Sequence, residues 1–89
     1  MKYWIVRTYK DREAVGVMTD DELGDMGKDG TIIQNAQHVH IAQIEVLGDG
    51  TILVKLREGY PPKFKPGLLL EPVSESEYHT YKTFDLFAD

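Results

Sequence analysis

The sequence predicts a mainly β domain of the α+β class, assembled by antiparallel pairing. Three observations predict it. Aliphatic and polar residues alternate in residues 3–9 and 42–57, Asp-Gly pairs stand at 29–30 and 49–50 where tight reversals need positive φ, and two Ser/Thr-x-x-Glu patterns mark helix starts. The 89 residues make a single domain over 1–89, because a chain of this length buries one modest core and has no room for a second. Size scaling puts its folded surface at about 5,300 Å².

Residues 3–9 form the first expected strand, with Trp4 and Val6 inward and Tyr3, Ile5 and Arg7 on the alternate face. After a charged turn, residues 14–18 supply a second strand that Gly16 weakens, and the two pair as a hairpin. Thr19-Asp20-Asp21-Glu22 spells a capping box, and Met18 and Leu23 stand at the positions of a hydrophobic staple. The helix it opens is short and acidic, since Gly24 and Gly27 disfavour continuation. Thr-Ile-aliphatic follows both Asp-Gly pairs, so a strand leaves each reversal.

The hairpin around Gly48, Asp49 and Gly50 has the best-defined register. Pairing Val46 with Ile52, Ile44 with Val54 and Ala42 with Leu56 puts the aliphatics on one face and Gln43, Glu45, Lys55 and Arg57 on the other. Gly50 then takes the left-handed conformation, and Glu45 lies diagonally near Lys55. Pro61, Pro62 and Pro66 make residues 58–67 an extended loop. Residues 68–71 form a last strand that Pro72 stops. Ser74 and Glu77 open a C-terminal helix along which Tyr78, Tyr81, Phe84 and Phe87 form an aromatic ridge, with a strand over 80–87 as the competing reading. The expected architecture is a small antiparallel sheet or a partly closed SH3-like or OB-like barrel, with the C-terminal helix over an open end.

Several chemistries are excluded by what the chain lacks. There is no Cys, which removes disulfides, thiolate metal sites and thiol nucleophiles and suits a reducing, cytoplasmic setting. Apolar residues 3–6 are halted by Arg7, far short of a membrane span or signal sequence, so no membrane association is expected. Serine occurs only at Ser74 and Ser76, without a nucleophile elbow. Gly24, Gly27, Lys28 and Gly30 fail as a phosphate loop because Asp29 follows the lysine. Asp20, Asp21, Glu22, Asp25 and Asp29 do not have calcium-loop spacing, and the first three suit a helix N-terminus. No cofactor is expected.

His38 and His40 stand at i and i+2, so on a strand they face one way and can share a metal ion, with Glu45 as a third ligand. His-x-His-x4-Glu resembles part of the first metal motif of the cupin family, and the resemblance implies His38, His40 and Glu45 as ligands in a small barrel. It spans only those residues, and 59–70 lacks the histidine of the second motif.

The net charge is −5, with acid concentrated in 13–29 and 71–89 and cations in 1–12 and 55–70. The reading that follows is a non-enzymatic protein-binding module, an inhibitor or regulator that docks its acidic segments on a cationic surface of another protein through Asp20, Asp21 and Asp25. Arg57, Tyr60, Lys63, Phe64 and Lys65 interleave cations and aromatics, as partner anchors or, alternatively, as a single-stranded nucleic-acid site.

Overall fold

A computed structural model describes residues 1–57, 64 and 67–86. It contains β1 (Tyr3–Thr8), β2 (Ala14–Thr19), α1 (Asp20–Leu23), a 3₁₀ turn (Gly24–Gly27), β3 (Ile32–Gln34), β4 (His40–Val46), β5 (Ile52–Leu56), β6 (Gly67–Val73) and α2 (Glu75–Tyr78). The strands form one six-stranded sheet in the order β2-β1-β6-β5-β4-β3, all neighbours antiparallel. The order is that of an up-and-down meander opened between β2 and β3 instead of between its chain ends. The mainly β, α+β class holds, and of the two expected architectures the structure is the open sheet, not a closed barrel. The accessible surface is 5586 Å², close to the size expectation.

The β4–β5 register is the expected one, Ala42 opposite Leu56, Ile44 opposite Val54 and Val46 opposite Ile52. Gly50 closes the turn at φ 90°. Asp49 accepts the Thr51 N–H at 2.9 Å, which holds its carboxyl below the usual value. Trp4, Val6, Ile44, Val54, Leu68 and Leu70 pack on one face of the sheet beneath Leu23, Phe84 and Leu86. The α1 capping box forms in full around Thr19 and Glu22, and both staple residues are buried.

Four local expectations are corrected. Ile5 is buried along with Trp4 and Val6: its face is also covered, with Val17 beside it, the Tyr78 ring of α2 on Tyr3 at 4.6 Å, and the Arg7–Glu71 ion pair at 3.0 Å running diagonally across it and Leu69. Strand β6 passes through Pro72 to Val73. Tyr9 N donates to Gly67 O, so Trp4 and Pro72 face each other as a non-hydrogen-bonded pair. The missing N–H therefore points to the β5 side, where pairing has already ended at Leu70.

The C-terminal helix ends after one turn. Ser74 caps it by accepting the Glu77 N–H at 3.2 Å, but beyond Tyr78 the chain turns and extends, leaving Tyr81 exposed and Phe84 in the core. The aromatic ridge does not form; Phe87 lies outside the described residues. Packing of Phe84 under the sheet outweighs continuation of an amphipathic helix. Finally, Gly16 is a requirement, since a Cβ there would lie 2.8 Å from the Phe84 Cβ and 3.0 Å from the Lys82 carbonyl oxygen.

Candidate functional site

The opening of the sheet leaves two edge strands, and the chain treats them differently. On β2, Asp20 N donates to Lys2 O, which makes Ile5 and Val17 a non-hydrogen-bonded pair and turns the polar groups of Val17 away from β1. Residues 82–84 satisfy them: Val17 N donates to Lys82 O at 2.9 Å, and Phe84 N donates to Val17 O at 2.7 Å. On β3, Ile44 N donates to Thr31 O at 2.8 Å, so Ile32 and Gln43 are a non-hydrogen-bonded pair. The N–H and C=O of Ile32 therefore point outward, and among the described residues no backbone group pairs with them.

A cleft of about 700 Å³ lies between the 83–86 segment and β3. Buried Met18, Phe84 and Leu86 and half-buried Met26 and Ile33 floor it, and exposed Glu22, Asp25 and Asp85 carry carboxylates around it. A second, smaller pocket of about 270 Å³ is lined by Ile32, His40, Gln43, Lys55 and Arg57 together with Ala42 and Leu56. Its charged side chains are cationic. Ile32, 49% exposed, lines both cavities, so β3 forms the ridge between an acidic and a basic concavity.

A β-bulge builds the basic side. The register runs Ile33 opposite Ala42 and then Gln34 opposite His40, leaving Ile41 as the extra residue. Ile41 and Ala42 are both buried in the core, and the alternation is reset so that His40 shares the face of Lys55.

The structure places the sequence-predicted residues in different settings. Asp20 is structural: its carboxylate accepts the Trp4 indole N–H at 2.8 Å and the Lys2 N–H at 3.1 Å. The Trp4 hydrogen bond, helped by Lys2, holds its carboxyl below the usual carboxylate value. Asp21 is exposed on α1, and Asp25 stands beside the cleft with Lys28 at 3.4 Å. Phe64 is half-buried, its ring 5.5 Å from that of Phe84, so it packs on the core and is not an exposed anchor. Arg57 lines the basic pocket, while Tyr60, Lys63 and Lys65 lie outside the described residues.

The geometry expected of the histidines is also corrected. His38 precedes β4 in a left-handed turn at φ 61°, where the Asn35 side chain accepts the N–H groups of Gln37 and Val39. Only His40 is on the strand, so the same-face argument does not apply to the pair. Glu45 pairs with Lys55 at 3.1 Å. Among the described residues no three His, Asp or Glu side chains are grouped to hold a metal ion, and no helix is long and apolar enough to cross a membrane.

The edge residue Ile32 and the cleft residue Asp85 were not singled out from the sequence, and Glu22 was read there only as a capping residue. One signal was present: Ile32 and Ile33 are consecutive aliphatics on a strand, which face opposite ways, so an open sheet exposes one of them. Comparison of the chain with family models, curated proteins and solved structures gave no significant match.

Proposed function

We propose that this chain is a protein-binding module that acts by occupation of a partner, receiving a cationic part of that partner in the acid-ringed cleft beside β3. The observation that supports this reading is the cleft itself, an apolar floor of Met18, Phe84 and Leu86 surrounded by the carboxylates of Glu22, Asp25 and Asp85. An aliphatic or aromatic side chain has apolar surface to bury there, and a neighbouring Lys or Arg meets opposite charge, which favours encounter and disfavours acidic competitors. Such a module would inhibit or regulate by covering the cationic surface it binds.

Selection of a displayed random-peptide library on the immobilised protein tests the reading. Enriched peptides should carry Lys or Arg next to an aliphatic or aromatic residue, and their binding should weaken steeply with salt and on Asp25→Lys. No enrichment, or enrichment of acidic peptides, would refute it.

A further inference from the structure

Building on that binding reading, we infer that the partner enters as an extended strand added to the outer edge of β3. Its alternate side chains would enter the acidic cleft and the basic pocket. Three independent features carry this.

The first is the backbone. Strand β3 turns the N–H and C=O of Ile32 away from β4, as β2 does with Val17, but the 82–84 segment satisfies Val17 alone. An added strand would supply at β3 what residues 82–84 supply at β2. The second is the side chain of Ile32, which is 49% exposed between two concavities. The third is the sign of the charge on either side of that ridge. Glu22, Asp85 and Asp25, the last beside Lys28, belong to the cleft, and Arg57 and Lys55, the latter beside Glu45, belong to the pocket.

A strand on this edge sends successive side chains to opposite faces. Residues i and i+2 reach one cavity and residue i+1 the other. The occupant is therefore an extended segment of a partner protein with Lys, Arg or aliphatic residues at i and i+2 and Asp or Glu between them. A second copy of this chain does not meet the requirement. Its own β3 reads Ile32-Ile33-Gln34 and would bring no charge to either cavity.

The test uses the full chain and the tightest peptide from the display selection. Amide hydrogen exchange followed residue by residue should show the Ile32 N–H slowed at least about tenfold by the bound peptide, and N-methylation at alternate peptide positions should weaken binding about tenfold while the intervening positions tolerate it. Ile32→Pro removes the same outward N–H without removing a β4 ladder donor and should reduce affinity more than Ile32→Ala, which loses the side chain but keeps the N–H. The N-methyl series decides if that variant unfolds. A peptide that binds with the Ile32 amide unprotected and with no period-two response would overturn strand addition and leave the binding reading standing. Failure to enrich any peptide would overturn both.

Discussion

The Trp4 indole N–H donates to Asp20 Oδ1 at 2.8 Å, tying the first strand to the residue that begins the first helix. Both ends of this bond are fixed by other means, Trp4 by burial and Asp20 by the Thr19 capping box and the Lys2 backbone.

A pH dependence follows from it. The folded chain holds the Asp20 carboxyl below its ordinary value, chiefly through the Trp4 hydrogen bond. The unfolded chain thus takes up this proton at higher pH than the folded chain does, and the stabilisation is complete above about pH 4 and is lost as pH falls through the lower folded value. Asp49 acts in the same direction through Thr51. Urea unfolding between about pH 5 and about pH 2 should show stability falling with acid, and the fall should be shallower in Asp20→Asn. An equal slope in the variant would show that Asp20 titrates alike in both states.

Gly16 is predicted to be intolerant of even one methyl group. A Cβ there meets the Phe84 Cβ and the Lys82 carbonyl, so Gly16→Ala forces residues 82–84 away from β2. Overpacking of this kind costs about 1–3 kcal/mol, and urea melts should show it. Faster exchange of the Val17 amide should accompany it, because that N–H donates to Lys82 O. Unchanged stability with normal Val17 protection would mean that the C-terminal segment does not hold the β2 edge.

Truncation of Phe84 should be costlier still. Phe84 is 8% exposed and its ring packs beside Phe64 beneath the sheet, and Phe→Ala at such sites costs about 3–5 kcal/mol. Loss of less than about 1 kcal/mol would place Phe84 at the surface.

Metal binding has a simple readout. With His38 in a turn, Glu45 paired to Lys55 and no three-ligand group among the described residues, added Zn²⁺ should leave the melting temperature unchanged. A rise that vanishes in His40→Ala would restore the metal reading.

How legible the molecule was in its sequence varied with the range of the interactions involved. The β4–β5 register, the α1 capping box and the left-handed Gly30 and Gly50 depend on residues a few positions apart, and period and turn chemistry suffice to place them. Pro72 misled because its cost depends on which neighbour its N–H would face, a fact set by the distant pairing of β6 with β1 and β5. The helix beyond Tyr78 misled because Tyr81 and Phe84 satisfy a helical spacing locally, whereas burial of Phe84 against Gly16 is decided across the fold. The candidate site suffered most. Of Asp20, Asp21 and Asp25 only Asp25 lines the cleft, since Asp20 is drawn into the Trp4 bond. The bulge at Ile41, which turns His40 toward Lys55, marks the sequence only as two adjacent apolar residues, Ile41 and Ala42, which break the alternation without saying which strand lies opposite.

The central claim is that charge beside the β3 cleft selects a cationic partner segment. Its most direct test repeats the peptide selection on a variant carrying Asp25→Lys, an exposed cleft position outside the Trp4 bond and the capping hydrogen bonds. The account predicts that the enriched residues switch from Lys and Arg to Asp and Glu while the apolar position persists. The same cationic peptides emerging from both proteins, with equal affinity, would contradict it.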